Sequence, residues 1–197
     1  MAKAVNHDVR KRMVVMKAMQ LFARMGYARV SFITISEEAG IARTALYRYF
    51  KTKRELFDEA IYEITGGIMT ELRDIMTRTQ PVPKRLKIAC GHVVDVIFEK
   101  RDFFLAIFDF VFSMVRTGED MTDRIALFTD GLKLVFRKLV SEGLQEGSVA
   151  AGTDPEESAD MLFSIMESVA FRVLLNADKD PEASKLRFNG AIAAISA

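Results

Sequence analysis

The chain has little of several residue types that crosslink proteins or perform catalysis. Its 197 residues include one cysteine, two histidines, four prolines and no tryptophan. The single thiol, Cys90, excludes an intramolecular disulfide and is typical of proteins from a reducing compartment. Because no basic and then apolar leader opens the sequence, we expect a cytoplasmic location.

Long apolar runs are also missing. The longest nearly unbroken one, Phe103 to Val115, has 13 residues and contains Asp109 and Ser113. A membrane-spanning helix needs about 20 apolar residues. We therefore expect no membrane span.

Motifs that would mark an enzyme are absent. The sequence contains no G-x-S-x-G nucleophile turn, no phosphate-binding loop and no dinucleotide fingerprint. His92 and Cys90 read as core residues rather than ligands, and the two histidines with one cysteine form no recognisable metal set. We expect no catalysis, no cofactor and no metal.

The apolar pattern predicts an all-α fold. Valine, isoleucine and aromatic residues recur at spacings of three and four, which is the period of an amphipathic helix, and rarely at two, the period of a strand. Glycines, capping residues and Asp-Pro steps indicate where the helices begin and end. The predicted helices span about 8–25, 31–40 (or 34–40), 43–49, 52–76, 83–98, 102–115, 120–146, 154–176 and 180–197.

Charge is distributed unevenly along the chain. Residues 1–54 hold twelve Lys or Arg against three acidic residues, a net charge of +9, whereas the remainder carries −8. A basic segment attached to an acidic one is typical of a polyanion-binding module on a body that does not touch the polyanion. A chance surface imbalance is the alternative.

Residues 31–50 have the pattern of a helix-turn-helix. Ile35 and Ala39 would face inward from a short helix, Gly40 would accommodate the positive backbone angle of the turn, and Leu46 and Phe50 would lock a second helix. The outward side chains of that second helix could then enter a DNA major groove. A helical hairpin that merely packs, with solvated basic residues, is the alternative.

The run from Ala39-Gly40-Ile41 through Leu46-Tyr47-Arg48-Tyr49-Phe50 to Glu55-Leu56 closely resembles the DNA-binding segment of TetR-family repressors. The Gly26-Tyr27 step and the chain length also agree. The resemblance implies about nine helices, arranged as a three-helix helix-turn-helix domain at 1–54 and a helical ligand-binding and dimerisation domain at 55–197.

The resemblance also implies roles for single residues. Tyr47 and Lys53 would contact phosphate, Ser31 would contact phosphate or cap the second helix, and the recognition helix would contact bases. Three positions depart from the usual family pattern, since Ala42 replaces a capping Ser or Thr, Thr44 a frequent Gly and Ala45 a frequent Thr. The predicted DNA-binding residues are Ser31, Arg43, Thr44, Tyr47, Arg48, Tyr49 and Lys53.

Six of the fifteen phenylalanines lie between Phe98 and Phe112. A helix that is apolar on every side must be enclosed, and rings on opposite faces suit an adaptable cavity for a small apolar ligand. Asp109 and Ser113 are the candidate polar anchors, although Asp109 could equally pair with Arg116 or another internal base, and plain core packing is the alternative for each Phe. The predicted ligand-binding residues are Met69, Met76, Phe103, Phe104, Phe108, Asp109, Phe112 and Met166.

The last two predicted helices carry more apolar residues than one protomer needs to bury. In TetR-like proteins the corresponding pair forms a four-helix bundle with its two-fold mate, and intramolecular packing alone is the alternative. We therefore expect a homodimer that binds a near-palindromic DNA operator, most simply as a repressor released by a small apolar ligand. Control by a protein partner instead of a small molecule is the second hypothesis.

Overall fold

The computed structural model describes residues 2–197, except for the side chains of residues 2–7, 124, 127 and 128. Within this part of the chain the structure is helical, with one isolated bridge between Val149 and Ser196 and no strand, which confirms the predicted all-α class. The helices are α1 (Ala2–Met25), α2 (Phe32–Glu38), α3 (Arg43–Tyr49), α4 (Lys53–Met76), α5 (Val82–Glu99), α6 (Arg101–Arg116), α7 (Thr122–Glu146), α8 (Pro155–Leu174) and α9 (Pro181–Ile195), with a short 3-10 helix at Tyr27–Arg29.

Local sequence signals explain where the later helices begin and end. The Asp154 carboxylate accepts the backbone N–H groups of Glu156 and Glu157, and the Asp180 carboxylate accepts that of Glu182. A proline follows each of these caps, at the first helical position where no amide donor is needed. Gly147, which follows α7, has a φ of +75° that an L side chain rarely adopts. The two Asp-Pro steps therefore mark helix starts, as predicted.

Contacts between Cα atoms divide the chain into two compact units. The first comprises Met1–Thr65 and Asp102–Met121, and the second comprises Gly66–Arg101 and Thr122–Ala197. The boundary predicted after residue 54 therefore differs from this division by contacts, which places the start of α4 and nearly all of α6 in the first unit.

An aromatic cluster forms the core of the first unit. The Tyr27 ring lies 5.3 Å from the centroids of both Phe22 and Phe57 and 4.6 Å from that of Phe110. The Phe57 and Phe110 rings also meet, at 4.5 Å. These four side chains come from α1, the 3-10 helix, α4 and α6, and all are buried. Their packing explains why α6 belongs to the first unit.

The second unit is organised around α5, which packs against α7, α8 and α9. Arg85 of α5 is only 2% exposed, and its guanidinium binds both carboxylate oxygens of Glu142, at 2.6 and 3.1 Å. The same guanidinium donates to the backbone oxygen of Met76 at 2.8 Å. A buried charge needs such partners because desolvation is costly. Arg85 therefore connects the end of α4 to α5 and α7.

The helices and the possible metal ligands can be compared with what a membrane span or a metal site requires. Within the described residues, none of the helices combines the length and the hydropathy that crossing a bilayer requires. The same residues contain no cluster of three or more His, Cys, Asp or Glu that could hold a metal ion. Cys90 is buried, and burial raises the pKa of its thiol. A buried, protonated thiol fits the expectation of a core residue.

Candidate nucleic-acid interface

The helix-turn-helix forms from α2, a glycine turn and α3. Ser31 caps α2, since its hydroxyl oxygen accepts the backbone N–H of Thr34 at 3.2 Å. Gly40 adopts a φ of +62°, and the backbone N–H of Ile41 then donates to the carbonyl of Ser36 at 3.0 Å. Ser31 therefore performs the capping role, which is one of the two that the resemblance implied.

The inner faces of α2 and α3 are buried as predicted, with one difference. Ile35, Leu46 and Phe50 are at most 1% exposed, whereas Ala39 is only half-buried. Ala42, which precedes α3, makes no side-chain capping bond. The first free amides of α3 thus lack the hydroxyl that a Ser or Thr would supply, and buried apolar contacts hold this helix in place.

The outward face of α3 carries the predicted contact residues. Arg43, Thr44, Tyr47 and Arg48 are all exposed, and Tyr49 is half-buried with its ring 6.5 Å from that of Phe50. Two guanidinium groups, a hydroxyl and a phenol on one exposed helix can reach phosphates and base edges. The structure therefore brings these predicted residues together on one short helix.

Lys53, at the start of α4, is held by the fold itself. Its Nζ donates to the backbone oxygens of Tyr27 and Val30, at 2.6 and 2.9 Å, and lies 4.2 Å from the centroid of the Tyr27 ring. Burial lowers the pKa of this ammonium. The side chain thus ties α4 to the connection between α1 and α2. Its predicted phosphate contact stays a prediction.

A capping arrangement starts α4, as the spacing of Thr52 and Glu55 predicts. The Thr52 hydroxyl accepts the Glu55 backbone N–H at 3.0 Å, and the Glu55 carboxylate accepts the Lys51 backbone N–H at 2.7 Å. The carboxylate thus reaches one residue further back than in the usual capping box. This reciprocal pair fixes the loop between α3 and α4.

Sequence reasoning missed two contacts that join α6 and the segment after it to the rest of the first unit. The Asp109 carboxylate accepts the Tyr27 backbone N–H at 2.6 Å, beside Gly26, whose φ is +83°. Arg54 donates from one nitrogen to both carboxylate oxygens of Glu119, at 2.8 and 3.1 Å. The expectation that Asp109 anchors a ligand or pairs with Arg116 therefore needs correction, because its carboxylate serves the backbone of the first unit. In the sequence, the Gly26-Tyr27 step was the one signal that this part of the backbone is special.

The other predicted ligand-binding residues divide between the two units. Within the first unit, Phe103 is 6% exposed and Phe104 packs against it, with ring centroids 5.7 Å apart. Phe108 and Phe112 also pair, at 6.1 Å, but Phe112 is 55% exposed. The expectation that α6 is enclosed on every side is therefore wrong at Phe112, which lies on an exposed face of the helix.

The methionines of the predicted ligand set lie in the second unit. Met166 is 3% exposed, Met69 packs beside Gly131 of α7, and the Met76 carbonyl binds Arg85. This unit has a groove of about 430 Å³ between α7 and the start of α8, and its lining includes none of the predicted ligand residues. Charged side chains such as Lys138, Glu142 and Glu156 border it.

Comparison with known proteins shows which family the helix-turn-helix resembles. Residues 15–60, which contain the helix-turn-helix, match the model described as "Bacterial regulatory proteins, tetR family". The fatty acid metabolism regulator protein of Bacillus subtilis is 19% identical over 84% of this chain and 84% of its own length.

Solved structures share the fold. FadR of Bacillus halodurans superposes with a TM-score of 0.77 and 20% identity, covering 93% of this chain and 94% of that one. FadR of Bacillus subtilis, in complex with stearoyl-CoA, gives a TM-score of 0.74 and 18% identity over 92% and 95% of the two chains. The matched family model, the curated relatives and these neighbours confirm the predicted resemblance: residues 15–60 match the DNA-binding domain of the TetR family, and the proteins that the chain resembles are transcriptional regulators rather than enzymes.

Proposed function

We propose that the protein is a repressor that binds a near-palindromic duplex operator as a homodimer and is released by a small apolar ligand. The observation that carries the DNA-binding part is the exposed face of α3, where Arg43, Thr44, Tyr47 and Arg48 lie together on a capped and buried scaffold. Arginine can grip guanine with two hydrogen bonds, and tyrosine and threonine hydroxyls can contact phosphate. A cytoplasmic location belongs to the same proposal.

The exposed faces of α8 and α9 support the homodimer. Met161 and Phe171 of α8 and Leu175, the residue that caps its end, are exposed on one side of the helix, with Phe171 and Leu175 52% and 63% exposed. On α9 the stripe contains Leu186, 64% exposed, and Gly190, whose missing Cβ would meet open space. Spacings of three and four residues are those of a helix-packing seam. Two copies of this pair would bury both stripes in a four-helix bundle.

Sedimentation tests the dimer. Leu186→Glu places a charge in the proposed seam, and we expect the dissociation constant of the dimer to rise by about thirtyfold or more. Leu134→Glu is the matched control, because Leu134 is an exposed leucine of the same unit on α7. A wild-type protein that sediments only as single subunits, or equal weakening by both variants, would contradict the proposed interface.

A two-fold dimer suits a palindromic site because two recognition helices about 34 Å apart meet successive major grooves on one face of the duplex. Duplexes selected by the wild-type protein from a random library give the operator sequence. We expect inverted half-sites separated by about one helical turn. Single half-sites without symmetry would contradict the dimeric mode of binding.

The ligand part of the proposal rests on the apolar residues of α6 and on a relative. Phe112 leaves α6 with an exposed apolar ring, and FadR of Bacillus subtilis, which shares the fold, was solved with stearoyl-CoA. A ligand that prefers a conformer with mismatched recognition helices would lower operator affinity by its differential affinity, typically about 1–3 kcal/mol. Stearoyl-CoA is therefore the first probe.

A gel-shift titration with the selected operator tests release. Saturating stearoyl-CoA should lower operator affinity about fivefold to a hundredfold or more, and mass spectrometry of the purified protein would detect a ligand retained from the host. Unchanged operator affinity would exclude this acyl-CoA as an inducer. The second candidate is a regulator controlled by a protein partner. Purified protein that retains no ligand would favour this candidate.

A further inference from the structure

Phe32 lies at the proposed DNA-binding face but was not among the predicted contact residues. It is the first residue of α2, half-buried, and directly follows the capping residue Ser31. Its ring meets the ring of Tyr47 edge to face, with centroids 5.0 Å apart and an interplanar angle of 62°. Aromatic pairs prefer this geometry, which gives the pair a defined orientation as well as buried area.

The Tyr47 ring in turn contacts Arg43, one turn earlier on α3. The guanidinium carbon of Arg43 lies 5.6 Å from the centroid of the ring, and its Nη2 donates to the Tyr47 hydroxyl at 3.3 Å. The cation is attracted by the ring face, and the hydrogen bond adds a direction. Phe32, Tyr47 and Arg43 therefore form a chain of contacts that starts at a capped helix end and finishes at an exposed guanidinium.

We infer that Phe32 is a positioning residue, which orients Arg43 through Tyr47 for reading a guanine. This inference rests on the proposed DNA-binding function. A free arginine side chain loses rotamer freedom when it binds, and a guanidinium that is already oriented loses less. Accepting a hydrogen bond from Arg43 also leaves the Tyr47 hydroxyl its own proton to donate to a phosphate oxygen.

The inference assigns different consequences to the three side chains. Loss of Arg43 removes the base contact itself, and loss of Tyr47 removes a phosphate contact together with the support for Arg43. Loss of the Phe32 ring removes only the orientation of the Tyr47 ring. Phe32→Leu keeps an apolar side chain at the start of α2 but lacks the edge-to-face contact, so it isolates the positioning effect.

A double-mutant cycle tests this assignment. The probes are a duplex selected by the wild-type protein from a random library and the same duplex changed at the base pair whose preference Arg43→Ala weakens most without abolishing it. The measured quantity is the ratio of affinities for the two duplexes, for wild type, Phe32→Leu, Arg43→Ala and the double variant. Phe32→Tyr serves as the conservative rescue, and Tyr62→Leu as an aromatic loss at a residue that is 75% exposed on α4.

We expect Phe32→Leu to lower this ratio by about two- to tenfold and Phe32→Tyr to restore it. In the Arg43→Ala background, Phe32→Leu should lower it no further, while Tyr62→Leu should leave it unchanged in the wild-type background. An equal loss on both duplexes, or a loss that persists without Arg43, would overturn the positioning role. If the wild-type protein selects no duplex at all, the proposed DNA-binding function is wrong. If it selects a duplex but Phe32→Leu does not change the ratio, only the positioning role is wrong.

Discussion

The two units use arginine in opposite ways. In the first unit, Arg43 and Arg48 project from α3 as exposed side chains. In the second unit, Arg85 is 2% exposed and shares its hydrogen bonds between Glu142 and the Met76 carbonyl. An exposed guanidinium can exchange water for a phosphate or a base, whereas a buried and paired one stabilises the fold. Exposure therefore separates the proposed binding residues from structural ones better than charge does.

The same distinction applies within the basic segment. Its net charge of +9 counts every basic residue alike, yet Lys11 pairs with Glu59, Arg54 pairs with Glu119 and Lys53 binds two backbone carbonyls. These three cations join α4 to α1, to the connection between α1 and α2, and to the segment that follows α6. The charge available to a polyanion is consequently smaller than the sequence total.

The largest expected effect belongs to Arg85. Arg85→Met removes a buried guanidinium from Glu142, whose side chain is 47% exposed, and removes its hydrogen bond to the Met76 carbonyl, so it should lower the free energy of unfolding by about 2–3 kcal/mol, measured by urea denaturation. Arg137→Ala is the matched control, because Arg137 pairs with Glu156 at the surface of the same unit, and should cost less than about 1 kcal/mol. Equal losses for the two variants would contradict the contrast between buried and exposed arginines.

Two glycines test how tightly the second unit is packed. A Cβ at Gly143 would collide with Val149 and lie 3.0 Å from Cγ1 of Val82, so Gly143→Ala should destabilise by about 1–3 kcal/mol. A Cβ at Gly67 would meet open space within α4. Gly67→Ala should therefore raise the unfolding free energy by about 1 kcal/mol through helix propensity. Thermal unfolding checks both signs, and a stabilising Gly143→Ala would show that the α5–α7 contact is loose.

Lys53 and Arg43 sharpen the comparison inside the first unit. Lys53→Met removes two hydrogen bonds from an ammonium to carbonyls and should lower unfolding stability by about 1–3 kcal/mol. Arg43→Ala should change stability by less than about 0.5 kcal/mol but lower base discrimination by about 1–3 kcal/mol. Urea denaturation and competition binding separate the two properties. A stability loss for Arg43→Ala as large as that for Lys53→Met would erase the distinction.

The smallest effect concerns pH. A hydrogen bond from the Ser148 hydroxyl and another from the Val82 backbone N–H hold the pKa of Glu146 below its ordinary value of 4.5. Because the folded-state pKa is the lower one, this stabilisation is present above pH 4.5 and lost as the pH falls through the folded value. Glu146→Gln should cost less than about 1 kcal/mol at pH 7. The difference from wild type should shrink below pH 4.5, and a difference that grows there would contradict this account.

Periodicity and capping signals predicted nearly all of the helices within one to three residues at each end. These signals succeed because a cap or a glycine acts only on the backbone next to it, as at Asp154-Pro155, Asp180-Pro181 and Gly147. The aromatic contacts of Tyr27 with Phe57 and Phe110 join residues far apart in sequence, and no local signal encodes that pairing. For the same reason, Asp109 could not be assigned to the Tyr27 amide, nor Lys53 to two carbonyls.

The outward residues of α3 were predictable because a seven-residue helix with Leu46 facing inward leaves little choice for the others. The contact between Phe32 and Tyr47 was not, since it depends on how α2 crosses α3. The ligand-binding set was the weakest prediction. Composition alone does not tell a Phe that lines a cavity from one that packs in a core or, like Phe112, lies exposed.

Fluorescence-anisotropy titration of a labelled duplex at two salt concentrations tests the central claim most directly, namely that the exposed cations of α3 bind duplex DNA. Wild-type affinity should fall by at least about tenfold between about 50 and 200 mM salt. The double variant Arg43→Ala, Arg48→Ala should bind more weakly and with a shallower dependence on salt. Wild-type protein with no affinity for duplex DNA, or with an affinity that salt does not change, would contradict the claim.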